Sequence, residues 1–267
     1  MKPIHMALIL ASLLPLSVMA DDKGRKPTSH SAPATSQPAA ANDPNALMGQ
    51  AEQELAAGNY TAAEATVTKA ALVMAKQTPL DTRRMADASF LMARILAESN
   101  QPAQLARASQ AMRAVMALPQ FNDPNNKVAS AEVAYRAAIS LARGSYASNY
   151  ADNLSAVGYT TKNKVASDNI GMAMDLISRA INYVGVFWPK PREAAIRYQV
   201  FNARLWRGTQ HAKSSVGTAL VLASSEYGDD DPRTRFLRDW SQNPALAEPT
   251  IKPGQPHPFP EEWQRQR

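Results

Sequence analysis

Asn45–Lys76, NALMGQAEQELAAGNYTAAEATVTKAALVMAK, reads as two helices folded back on each other about Gly58-Asn59. Leu47, Ala51 and Leu55 recur every four residues, and Ala63, Val67, Ala70 and Met74 every three or four, so each segment carries one apolar helical face. Gly58 suits the left-handed conformation that ends a helix, and Thr61 is placed to cap the helix that follows. A hairpin of this size cannot bury its faces alone. Its pattern calls for neighbours of the same kind.

Gly58, Tyr60, Ala63 and Ala70 resemble the Gly-x-Tyr-x-x-Ala-x6-Ala signature of tetratricopeptide repeats, with Leu47 and Ala51 at its first-helix apolar and small positions. Glu54 departs from the pattern, standing where an aromatic is usual. The resemblance implies an all-α chain, a right-handed superhelical stack of antiparallel helix hairpins. It implies a turning glycine, a tyrosine over the hairpin, and alanines where helices approach closely.

The rest of the chain supplies further helices. Asp81 caps a segment reaching about Ser99, and Pro102 suits the first turn of the next, through Leu118. Pro119 and Asn122–Asn126 interrupt it. Val128 to about Gly144 and a weaker stretch from Tyr146 to Val157 form a third pair, followed by one long helix over Lys164–Val184 that makes the stack irregular in its middle. Pro189 and Pro191 break the chain, with Phe187-Trp188 expected to fill core at the joint. A last hairpin spans Arg192–Arg207 and His211–Tyr227, where Ala212 and Ala219 repeat the seven-residue spacing of Ala63 and Ala70. The linker Tyr227–Thr234 resembles the kinesin-light-chain-like branch of the family. Asp231 and Pro232 open a final capping helix to Trp240.

The two ends read differently. Met1-Lys2, the apolar run Met6–Leu14 and Val18-Met19-Ala20 have the layout of a secretory signal over 1–20, with cleavage after Ala20. The rival, an uncleaved anchor, has an apolar run well short of the ~20 residues a membrane span needs. Residues 21–44 are a linker rich in proline, serine and alanine that cannot bury enough surface to fold. The helical domain covers 45–243. From Pro244 to Pro260 six of seventeen residues are proline, so 244–267 is an extended tail with no fold of its own. A periplasmic or secreted protein follows. It has no cysteine to form disulfides, and its stability must come from apolar packing.

Little in this sequence could build an active site. Of four histidines, only His211 falls in the helical domain, so neither a two-histidine metal site nor a Ser-His-Asp set can be assembled. There is no glycine-rich phosphate loop. Asp229-Asp230-Asp231 lacks the alternating ligands of a calcium loop and reads as helix capping. No cofactor or enzymatic activity is expected.

Charge says more. The whole chain carries 29 basic and 23 acidic side chains, +6, and between 190 and 213 Lys190, Arg192, Arg197, Arg204, Arg207 and Lys213 face Glu193 alone. Arg197, Phe201 and Arg204 share one helical face. The repeat resemblance places them along a concave groove, with Met48 and Glu52 in the first repeat's groove and Arg94 joining under one register. The alternative is a solvated basic face. Export argues against nucleic acid. Two classes of function remain: a scaffold for protein–protein interactions in the envelope, bound to an extended anionic peptide, and a module binding an anionic envelope polymer such as peptidoglycan or lipopolysaccharide.

Overall fold

The computed structural model describes residues 43–99, 101–147, 164–185, 189–245 and 247–260. The leader, most of the linker, the stretch 148–163 and Phe187-Trp188 lie outside the described residues. Within them the chain is all-α. The helices are α1 (Pro44–Ala56), α2 (Tyr60–Ala75), α3 (Thr82–Glu98), α4 (Pro102–Met116), α5 (Lys127–Ala147), α6 (Lys164–Val184), α7 (Arg192–Leu205), α8 (Gln210–Tyr227) and α9 (Pro232–Gln242), with a short 3-10 turn at Pro119–Phe121. Among the described residues no helix is long and apolar enough to cross a membrane. The described residues fall into two compact units, divided between Leu96 and Ala97.

In the first unit α1 and α2 make the expected hairpin. Gly58 has φ of 80°, the Asn59 amide donates to the Glu54 carbonyl at 2.8 Å, and the Gly58 amide to that of Leu55 at 3.0 Å. These two bonds close the orphan carbonyls of α1 in the way a left-handed terminal glycine permits. Leu47, Ala51, Leu55, Ala63, Val67, Ala70 and Met74 are buried, as their spacing requires. The cap is one point of difference. Asn59, not Thr61, occupies the cap position of α2, and it makes no side-chain cap bond. Helix α2 starts at Tyr60, which puts Thr61 inside its first turn. Asp81 does cap α3, accepting from the amides of Arg83 at 3.1 Å and Arg84 at 3.0 Å.

In the second unit α5 packs on α6, α7 on α8, and α8 on α9, with α4 against both α5 and α6. Lys164–Val184 is one helix, ended by Gly185 at φ 97°. Gly144 does not end α5, which runs on to Ala147. It lies where α5 touches the end of α3, and a Cβ built there would stand 1.7 Å from the Ala97 carbonyl oxygen. Beside this contact the buried Glu98 carboxylate accepts from Ser140 Oγ and Arg143 Nη1, both at 2.7 Å.

The tail is extended, as its prolines dictate, but it is packed. Phe259 is buried in the cluster of Ile196, Val200, Val216, Phe236, Leu237 and Trp240, and Ile251 lies partly buried against it. The core of α7–α9 therefore includes residues that sequence patterning assigns to a separate tail.

Candidate functional site

Helix α7 starts after Pro191, which fixes φ at −72° and cannot itself continue a helix backwards. From that start Arg197, Phe201 and Arg204 come round to one side, as their spacing predicts. All three line a cavity of about 180 Å³ whose other walls are Tyr135 of α5, Glu193 and Val200 of α7, Tyr227 of α8, Arg233 of α9 and Pro258–Pro260 of the tail.

The three residues play unequal parts. Arg204 is 5% exposed. Its Nε donates to the Glu248 carboxylate at 3.0 and 3.1 Å, Nη2 to the same carboxylate at 2.6 Å and to the Phe259 carbonyl at 2.6 Å, and Nη1 to the Pro260 carbonyl at 3.4 Å. This forked grip on a carboxylate plus two carbonyls is the geometry that guanidinium provides and ammonium does not. Phe201, 2% exposed, is a packed ring edge-on to Tyr135 at 5.6 Å and forms part of the cavity wall. Arg197 is the accessible member, its side chain 38% exposed. It reaches Glu132 at 3.2 Å and lies 5.4 Å above the ring of Tyr135. Tyr198 Oη donates to the same Glu132 oxygen at 3.0 Å, which holds that carboxylate between two donors.

The opposite wall is set by Asp231. Its side chain accepts from the Arg233 amide at 2.9 Å, capping α9, and takes the Arg233 guanidinium on both oxygens at 2.9 and 3.0 Å. Those bonds hold the Asp231 carboxyl down at about 2 and raise Arg233. They also hold the guanidinium over Tyr227, with Cζ 3.3 Å from the ring centre. Burial pushes the Tyr227 phenol up, and Arg233 opposes that shift. Asp231 is thus committed to a helix end and an arginine, while Asp229 bonds Ser224 and Arg238. Among the described residues no cluster of histidine, cysteine and carboxylates could hold a metal ion.

Where the tail crosses Arg204, His257 meets Phe236 edge-on with ring centres 4.9 Å apart and stands 3.5 Å from Glu248. Burial, and after it the Arg204 charge, push the imidazole below its ordinary 6.5, with Glu248 pulling the other way.

Met48, Glu52 and Arg94 belong to the first unit. Arg94 Nη1 bonds both Glu52 oxygens at 2.8 and 3.0 Å and lies over Phe90 at 5.9 Å. The two charges that sequence register assigns to a groove there neutralise each other as a brace between α1 and α3, and Met48 is half-buried on α1. His211 is exposed at the start of α8, against Trp206 at 4.9 Å and 3.2 Å from the buried Asn202 amide.

Sequence reasoning missed Glu132, Tyr135, Tyr227, Arg233, Glu248 and Phe259. The available signal was in the tail, where Ile251 and Phe259 sit among prolines as apolar anchors in an otherwise polar extended stretch. Compared with family models, with curated proteins and with solved structures, the chain finds no match in any of the three.

Proposed function

We propose that this chain is an exported, non-enzymatic adaptor of the bacterial envelope, built as a tetratricopeptide-like stack of helix hairpins, whose α7–α9 face binds an extended acidic segment of a partner protein. The repeat reading is supported by the two alanine pairs at seven-residue spacing, Ala63 with Ala70 and Ala212 with Ala219, all four of them buried. The observation that carries the binding reading is the Arg204 site. An extended segment with a carboxylate already lies across this face, held by side-chain bonds and an apolar anchor rather than by strand pairing. Arg197, paired with Glu132 and 38% exposed, extends the same cationic, aromatic surface outward.

Exposed charge contacts are screened within about 8–10 Å at physiological salt, so a partner held at Arg197 should bind in the micromolar range and weaken with added salt. The test is a pull-down from envelope extract at low and high salt, repeated with Arg197→Glu and with the control Arg83→Glu/Arg84→Glu in the first unit. Capture of a protein that Arg197→Glu loses and the control keeps supports the reading. Capture of peptidoglycan or lipopolysaccharide instead assigns the module to envelope polymer. Equal capture by both variants removes Arg197 from the site.

A further inference from the structure

The 247–260 segment is held in the manner of a bound peptide. It has two anchor regions, Glu248 in the grip of Arg204 and Phe259 in the apolar cluster, with Ile251 beside it. Between them Lys252–Pro256 is exposed throughout. The segment's only internal backbone bond of note is the turn from Gln255 to the Lys252 carbonyl at 3.1 Å, made possible by Gly254 at φ 83°. The Pro244-Ala245 stretch that joins it to α9 is exposed. Arg204, in contrast, belongs to the helices. It is 5% exposed because the tail covers it, and docking gives it the Glu248 carboxylate and two carbonyls in exchange for water. The site is therefore complementary to a carboxylate, while the segment filling it hangs from two anchors.

We infer that the face formed by α7, α8 and α9 is a receptor for an extended, proline-punctuated segment bearing one carboxylate and, about eleven residues on, a Phe-Pro pair, and that the chain's own 247–260 is its cis occupant, exchangeable with the same segment supplied in trans. The receptor reads three things. Arg204 reads the carboxylate in forked geometry. The Phe236–Trp240 side of α9 takes the aromatic ring, with rings at 6.1 Å. The guanidinium then bonds the carbonyls of Phe259 and Pro260, which checks that the chain beyond the ring runs back across α7. Prolines suit the ligand because a chain fixed near polyproline geometry loses little entropy on binding. Exchange replaces one carboxylate by another, so Arg204 ends with the same charge-assisted contacts it began with. While the tail remains attached its local concentration is on the order of millimolar, and a competitor must exceed that. This inference deepens the proposed function by naming what the face recognises, and rests on the binding reading only for its relevance to partners.

The experiment keeps the tail in place during folding. A site-specific protease sequence is inserted between Pro244 and Ala247, the folded chain is cut, and a fluorescent peptide of residues 247–260 is added while anisotropy is followed. The expected result is saturable uptake of the labelled peptide with release of the cut tail, and at least ~10-fold weaker uptake of the same peptide carrying Glu248→Gln, which removes a charge-assisted contact, or Phe259→Ala, which removes a buried ring. In the uncut chain, uptake should require peptide near the millimolar range. Retention of the cut tail with no uptake at 1 mM peptide (roughly the tail's own effective concentration) overturns the inference and makes the tail an integral part of the core. Equal uptake of all three peptides overturns it too. Two chains separate the readings: in Arg197→Glu, unchanged peptide exchange with the envelope partner lost leaves both standing, whereas in the parent chain failed exchange with the partner still captured sinks only this one.

Discussion

Two helical glycines should respond oppositely to the same substitution. Gly144→Ala places a methyl group 1.7 Å from the Ala97 carbonyl oxygen, 2.8 Å from its carbon and 2.9 Å from Leu105 Cδ2. The first two atoms are backbone and cannot turn aside. Restoring an ordinary contact means parting α5 from the end of α3 by more than an ångström. The same movement stretches the 2.7 Å bonds from Ser140 and Arg143 to Glu98, which is buried beside them. Overpacking of this kind costs about 1–3 kcal/mol, and loosening a buried charge from its partners adds to that. Against it stands the helix propensity gained by replacing glycine with alanine, at most ~1 kcal/mol. A net loss of about 3 kcal/mol is expected, or roughly 6–12 °C in Tm for a domain of 150–250 residues. Gly171→Ala in α6 is the counterpart, because a Cβ there meets nothing within 4 Å. It should gain roughly 0.5–1 kcal/mol. Thermal and urea melts followed by circular dichroism check both. If Gly144→Ala melts at or above the parent temperature, the close approach of α3 and α5 is wrong, and the account of Gly144 goes with it.

Two further outcomes concern the ends of the site. Asp231→Ala removes the cap of α9 and the seat of Arg233, so stability should fall by about 1 kcal/mol in urea melts; since the Asp231 carboxyl is held down at about 2, its contribution is present above 3.8 and fades as pH falls toward 2, and an acid titration in which parent and variant stay equally far apart would refute this. His257 lies below its ordinary 6.5 in the docked tail, so tail binding is at full strength above that pH and weakens as pH falls through it, the groups facing the ring being Arg204 and Glu248. Exchange of the cut tail should be easier at pH 5.5 than at pH 7.5, His257→Gln should flatten the difference, and tighter binding at 5.5 would mean that Glu248 outweighs burial and Arg204.

What the sequence made legible was whatever depends on neighbours three to seven residues away. The apolar faces of α1 and α2, the turn at Gly58, the caps at Asp81 and Asp231, and the single helix from Lys164 to Val184 all follow from local spacing and end chemistry. Gly144 shows the limit. Glycine after a helical run has two local meanings, a stop or a close approach. Which one holds depends on the carbonyl of Ala97, 47 positions earlier, about which helical periodicity says nothing. The packing of the tail is hidden for the same reason. Prolines exclude helix and strand, so no periodicity marks Ile251 and Phe259 as buried, although their burial is as ordinary as that of any core residue.

The arginines of α7 show the same limit at the candidate site. Arg197 and Arg204 are seven residues apart on one helical face, and by spacing alone they are equivalent. They differ only because Glu248, 44 residues downstream of Arg204, lies over one and not the other. One guanidinium is consequently buried and gripping a carboxylate, and the other is accessible beside it. A face whose charge and aromatic content predict an extended carboxylate-bearing ligand is the face on which this chain lays its own extended segment, with the one carboxylate of Glu248 on Arg204. The same chemistry that makes α7 attractive to such a segment in trans makes the tail dock in cis. Any partner of this face must therefore either use what the tail leaves uncovered, at Arg197, or take the tail's place at Arg204.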